Sequence, residues 1–323
     1  MSKATKKWLI AATIFVIVGL LIFAGVLYVY DFDFKKLSTE NYITNTYEIK
    51  EDFDRISIDV DTSDIEFVLS EDENCRLVCY ETEKLKHSAV IENGTLSIDL
   101  IDCRNWYDYI GISFEHHKMT VYLPQTKYTS LKIDTDTGDI VIPKEFSFEN
   151  IKIDGDTSDV ECYASVSEAM EIKLSTGDIK ADSFVAGKID LSATTGNICI
   201  NDVDTRGNID ITTNTGKIVL TEITCNNFIA ESNTGNITLK NVVSSDSFSV
   251  ENDTGDVIFD YSDAAEIYVE TSTGDVKGNL LSEKIFITKT STGNISVPDS
   301  VSGGRCNIIT STGDIKIDIK SHP

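Results

Sequence analysis

The chain has 323 residues, and its 53 Asp and Glu outnumber 28 Lys and Arg to give a net charge of −25. The first 30 residues hold no carboxylate, so the part from Asp31 onward carries 25 basic against 53 acidic residues, a charge of −28. Such a field argues against nucleic acid and anionic lipid as partners and leaves cations, basic proteins or neutral sugars, with most of the charges reading as solvated surface.

Residues 8–30 contain no charge, enough apolar length to span a bilayer as a helix. No small-residue cleavage site or lipid-attachment Cys follows, so the segment reads as an uncleaved signal anchor rather than a signal peptide. Lys3, Lys6 and Lys7 precede it, and Asp31 and Asp33 follow. The positive-inside rule then puts residues 1–7 in the cytoplasm and the rest outside the cell membrane. Trp8, Tyr28 and Tyr30 stand at its ends as interfacial aromatics. Residues 31–52 read as a polar stalk.

The segment Ile56-Ser57-Ile58-Asp59-Val60-Asp61-Thr62-Ser63-Asp64-Ile65 opens a pattern that returns later. Before it returns, residues 66–130 break the period, so 53–130 read as a first coil followed by an irregular β cap. Asn93-Gly94 between alternating runs signals a hairpin, and residues 76–81 and 118–123 read as strands. The aromatic loop Asn105-Trp106-Tyr107-Asp108-Tyr109 reads as cap core, with an exposed binding loop as the alternative. Of seven Cys, only Cys75, Cys79 and Cys103 are close enough in sequence for a local bridge, and no disulfide framework is implied. His116-His117 within a strand point to opposite faces and do not make a metal pair.

From residue 131 a short motif governs the chain. It reads Asp136-Thr137-Gly138-Asp139-Ile140, then Asp156-Thr157-Ser158-Asp159-Val160, then Ser175-Thr176-Gly177-Asp178-Ile179, and so on to Ser311-Thr312-Gly313-Asp314-Ile315. Its third residue falls at 138, 158, 177, 196, 216, 235, 255, 274, 293 and 313. Steps of 19 or 20 are the signature of a stacked repeat. Apolar residues two and four places after the turn, as in Ile198/Ile200 and Ile237/Leu239, alternate with polar ones. So do those seven and five places before it, as in Ile209/Ile211 and Phe248/Val250. Period 2 on both sides means half-buried strands. Each return loop adds an apolar residue, such as Phe146, Val166, Val185, Val203, Val242 or Val301. The expected fold is all-β: a single-stranded β-solenoid of ten coils over 131–320, each about 20 residues and buried by its neighbours. Gly supplies the positive φ of the turn. Cys162 and Cys306 fall in inward columns and Cys199 in an outward one. The last coil, ending at Lys320, is expected to leave an open strand edge suited to self-association.

These turns, together with Val121-Tyr122-Leu123-Pro124 leading into Leu131-Lys132-Ile133-Asp134-Thr135, resemble the bacterial "putative adhesin" family of β-strand repeats, to which the envelope-stress protein LiaG is similar. The resemblance covers roughly residues 50–320. It implies a right-handed solenoid and a role at the cell envelope.

No nucleophile motif, phosphate loop or Asp/Arg/His cluster stands out, so the expectation is a non-enzyme without a cofactor. A glycan-cleaving β-helix is the remote alternative. The main reading is an adhesin-like surface for a cell-wall polymer or a membrane or surface protein. The other is an accessory ectodomain of an envelope-stress system, which the resemblance implies. One metal site suggests itself. Asp59, Asp61 and Asp64 share a register with Asp134, Asp136 and Asp139 and with Asp154, Asp156 and Asp159. Three adjacent coils then stack carboxylates suited to weak Ca²⁺.

Overall fold

The computed structural model describes residues 2–29, 31–33, 41–72, 74–108 and 117–320, apart from the side chains of Lys3 and 183–186. Lys3–Val29 is one α-helix, and within Ala4–Val29 it holds an 18-residue window of mean hydropathy 2.9. At 1.5 Å per residue, a helix of that length and composition can cross a membrane.

From Tyr42 on the protein is a β-solenoid. Every coil contributes one strand before its Thr-Gly turn and one after, so two sheets run the length of the stack. The first sheet runs from Leu85–Glu92 through Thr95–Asp102, Arg55–Thr62, Lys127–Thr137 and Ser147–Thr157, and on to Glu266–Thr273. The second starts at Tyr42–Ile49 and passes through Cys75–Thr82, Lys118–Leu123, Asp64–Leu69 and Ile140–Ile142 towards Val276–Leu280. Coil pairs with coil in parallel register, Ile189 beside Ile209 and Ile198 beside Ile218. The alternation read from the sequence is the burial pattern found. Ile198, Ile200, Ile209, Ile211, Leu239, Phe248 and Val250 are all buried. Cys162 and Cys306 are buried and Cys199 is partly exposed, as their columns require.

The Ser63 coil stacks directly on the Gly138 coil, Ile58 beside Ile133 and Asp59 beside Asp134. The 66–130 insertion therefore leaves the stack whole and closes its end. It does so by switching to antiparallel pairing: Cys75–Thr82 runs against both Lys118–Leu123 and Tyr42–Ile49, and the 85–102 hairpin extends the other sheet. Asn93 and Gly94 make the hairpin turn with φ of 52° and 75°. The expected stalk is thus shorter than 31–52, because Tyr42–Ile49 is the edge strand of the cap. Its alternation, Tyr47 and Ile49 partly buried between exposed Thr46 and Glu48, is short enough to pass for a polar linker.

The far end departs from the expected order. Glu266–Thr273 pairs not with the next strand in sequence but with Gly304–Thr312, and Lys284–Thr292 lies outside that. Ile315–Ile319 likewise sits between Val276–Leu280 and Ile295–Ser296. The final coil of the chain is therefore the penultimate rung, and the coil turning at Gly293 forms the end. The inward columns explain the choice. Cys306, Ile308, Ile315 and Ile317 are apolar throughout and become buried between two neighbours. The Gly293 coil carries Thr288 where every other regular coil carries Ile, Val, Leu or Ala, and its Ile295 and Val301 are 45% and 92% exposed. The open edge expected at Ile315–Ile319 is thus at Lys284–Thr292 and Ile295–Ser296.

Candidate functional site

The Thr-Gly turns line up along one corner of the rod. Turn glycines adopt φ of 136° to 157°. A Cβ on Gly216 would lie 1.8 Å from the carbonyl oxygen of Gly196, so the turns also stack too closely for a side chain. The Asp or Asn that follows has a structural task. The N–H of Asp178 donates to Asp159 Oδ1 at 2.7 Å, that of Asn197 to Asp178 Oδ1 at 2.7 Å, and that of Lys217 to Asn197 Oδ1 at 3.0 Å. The ladder continues from Asp256 to Asn236, Asp275 to Asp256, Asp314 to Asp275 and Asn294 to Asp314. Its last two steps follow the rearranged coil order. Lys217 has no oxygen to offer Asn236, so the ladder lapses there.

The nine candidate metal ligands line up as three rows on adjacent coils, but no three of their carboxylates bring oxygens within 4.8 Å of one another. Asp59, Asp134 and Asp154 lie in register. Asp64 and Asp139 accept the N–H of Asp139 and Asp159 at 3.1 and 3.2 Å, and Asp159 that of Asp178, so this row serves the ladder. Of the other six, Asp134, Asp136, Asp154 and Asp156 line an open groove of about 350 Å³ together with Lys173 and Ser175, and Asp59 and Asp61 do not line it. Ser175 donates to Asp156 at 3.0 Å, and Lys152 stands 3.6 Å from Asp154.

In the cap, a buried polar knot joins three strands. Glu81 Oε1 accepts from Asn45 Nδ2 at 2.5 Å and Tyr47 OH at 2.7 Å. Its Oε2 accepts the His87 N–H at 2.7 Å and lies 2.8 Å from His87 Nδ1, while His87 Nε2 is 3.2 Å from Ser63 Oγ. Burial pushes the Glu81 carboxyl up, but hydrogen bonds from Asn45, the His87 backbone, Tyr47 and the His87 ring outweigh it and hold it below the usual range. Burial, then Glu81, pushes the Tyr47 hydroxyl up. With Cys79, Glu81 and His87 form the only group among the described residues whose His, Cys and carboxylate ligand atoms all lie within 4.8 Å of one another. Burial, then Glu81, raises the Cys79 thiol, and both Glu81 oxygens already hold two donors. The knot is a structural lock. Sequence reading missed it, although Glu81 and His87 occupy the inward positions of Cys75/Leu77/Cys79/Glu81 and Leu85/His87, where a charge signals a buried pair.

Trp106 and Tyr107 of the aromatic loop are not cap core. Trp106 is 76% and Tyr107 54% exposed, their rings 5.9 Å apart and edge-on. Asp108 fixes the loop, accepting from Lys84 Nζ at 2.5 Å and the Asn105 N–H at 2.7 Å. The Lys84 hydrogen bond holds the Asp108 carboxyl below its ordinary value. Lys84 also stands 5.6 Å from the Tyr107 ring centre. Tyr109 and His116 lie outside the described residues, as do Tyr30 and the Val185 side chain. All seven Cys are free thiols, so no local bridge joins Cys75, Cys79 and Cys103.

The Toastrack DUF4097 family model matches residues 53–221 and 204–322. The chain belongs to the Toastrack DUF4097 family. No curated protein matches it. Among crystal structures, this Toastrack chain is similar to a "putative adhesin" from Bacteroides fragilis NCTC 9343 (16% identity, 87% of this chain and 98% of that one, TM-score 0.42). It is also similar to a "putative lipid binding protein" from Parabacteroides distasonis ATCC 8503 (16%, 86% and 98%, 0.48). A third is a "putative adhesin" from the same Parabacteroides strain (11%, 86% and 98%, 0.49).

Proposed function

We propose that this Toastrack protein is a membrane-anchored rod that holds a binding surface outside the cell. Its ligand class is a cell-envelope polymer or surface protein, and the rod performs no catalysis. The observation that carries the reading is the pinned, exposed pair Trp106 and Tyr107 on a rod joined to an apolar helix. Two rings held ready by Asp108 and Lys84 offer flat apolar faces at little ordering cost, which suits neutral sugars better than an ionic ligand in so acidic a chain.

The test has two parts. Protease added to intact protoplasts should digest the chain beyond residue 31 and spare the N-terminal fragment, whereas full protection would remove the surface role. Full-length protein in detergent should then retain wall polymer from an envelope extract, and Trp106→Ala/Tyr107→Ala should lose at least ten-fold in retention. Capture of a membrane protein, unaffected by those substitutions, would favour the accessory-ectodomain reading instead.

A further inference from the structure

We infer that the distal coil, Lys284–Val297, docks tail-to-tail against the same coil of a second copy. The strands Lys284–Thr292 and Ile295–Ser296 are paired on one side only, so each leaves a row of backbone donors and acceptors open at the end of its sheet. The side chains there are those of a contact surface. Ile285, Ile287 and Ile295 are 41%, 53% and 45% exposed, and Phe286 and Val297 are only partly covered.

Charge selects the occupant. Two copies of a chain with net charge −25 repel wherever carboxylates face each other. Residues 284–297 contain Lys284 and Lys289 and no Asp or Glu, so this end is where two copies meet with least repulsion. Lys284 is withdrawn from the surface, 2.6 Å from Asp263. An edge strand meeting its own copy about a two-fold axis pairs antiparallel, which keeps every outward Ile opposite the partner's outward positions. Stacking the open end on the other end of a copy would bring it to the antiparallel cap, beside Glu92 and the acidic Asp99 and Asp102. The tail-to-tail pairing does not depend on how the chain is anchored. That it would bridge two opposed membranes rests on the topology proposed above, because it puts the two helices at opposite ends of the assembly.

The test uses the full chain in detergent. Ile287→Cys in a Cys103→Ser background should give a bismaleimide dimer whose crosslink joins 287 to 287. Sedimentation of the natural chain should show concentration-dependent dimers, weakened at least ten-fold by Ile285→Glu/Ile287→Glu. Both positions are exposed, so the fold is kept, and Ile229→Glu midway along the rod should change nothing. A monomer at every concentration overturns the inference, and so does a crosslink from 287 to residues 85–102. Dimers in detergent, without clustering of liposomes that carry the rod outward, would leave the pairing intact and refute the bridging topology.

Discussion

At the turn corner, one residue type answers to two constraints. Gly216 needs a φ of 157° and room for the Gly196 carbonyl, which an added Cβ would approach to 1.8 Å. Gly216→Val meets both the conformational penalty and a backbone collision that only a shift of a whole coil relieves. It should cost about 4 kcal/mol or more, seen as a loss of melting temperature of many degrees, and an unchanged melting curve would refute the stacked-turn geometry. The next residue gives the opposite kind of test. Lys217 sits at the one ladder step where the side chain cannot accept the N–H of the following coil. Lys217→Asn restores an acceptor of the kind Asn197 provides to Lys217 at 3.0 Å. Stability should rise by about 1 kcal/mol, the net worth of one hydrogen bond. Urea midpoints of the two chains at equal m decide it. The turns were readable from the spacing of Gly, with Ser63 and Ser158 recognised by the residues around them. The role of the Asp was not, because a carboxylate that accepts a neighbouring coil's N–H and one that merely faces water leave the same mark in a sequence.

At the scale of elements, the cap and the acidic rows set different problems. The cap strands were visible as alternating runs, and the Asn93-Gly94 hairpin was explicit. What joins them was not, since the partners Asn45, Tyr47, Glu81 and His87 come from three strands with no local spacing to connect them. Glu81→Gln replaces an oxygen that accepts two donors by an amide nitrogen facing donors. The cost should be about 3 kcal/mol, as for a broken buried pair. Hydrogen exchange should locate it in Tyr42–Ile49 and Leu85–Glu92, with the regular coils still protected. The pH dependence follows from the depressed Glu81 carboxyl. Its contribution is complete above the unfolded carboxylate value near 4.3 and is lost as pH falls through the lower folded value. Acid should therefore open the natural cap first, and the Gln variant should lack that step.

The acidic rows make the complementary case. Three carboxylates are occupied by the ladder, so any Ca²⁺ would have to draw on Asp59, Asp61, Asp134, Asp136, Asp154 and Asp156, of which the last four share one groove. Millimolar Ca²⁺ should raise the melting temperature by mass action, and Asp136→Asn/Asp156→Asn should abolish the response. A flat titration at matched ionic strength leaves only a solvated ridge.

Over the whole molecule, the order of coils in space differs from their order in sequence, and the cause lies in three residues. For the last coil to enter between its predecessors, the chain must pass between the Gly274 and Gly293 coils where they lie close. Gly303 and Gly304 occupy that passage. A Cβ on Gly304 would lie 1.7 Å from the Ala265 carbonyl oxygen, and one on Gly303, at φ 99°, 1.8 Å from that of Glu283. Because Gly304 has no side chain, Lys284, its register partner on the outer side, reaches Asp263 at 2.6 Å with both side chains nearly buried. The ion pair thus ties the outermost coil to the one inside the inserted rung. Period and alternation assign each coil its strands but are blind to which coil neighbours which, because every coil presents the same parallel register. Only the Gly303-Gly304 pair and the Thr288 in an apolar column mark the exchange. Gly304→Val should close the passage. In a solenoid each coil is held by its neighbours, so the damage should stay local. Hydrogen-exchange protection should fall across Lys284–Thr292 and Gly304–Ile319, while Ile218–Thr234 keeps its protection. Asp263→Ala should destabilise the same end by about 3 kcal/mol through the uncompensated Lys284. If Gly304→Val left protection in Gly304–Thr312 untouched, the inserted rung would not be where the fold places it, and the open edge would return to the last coil.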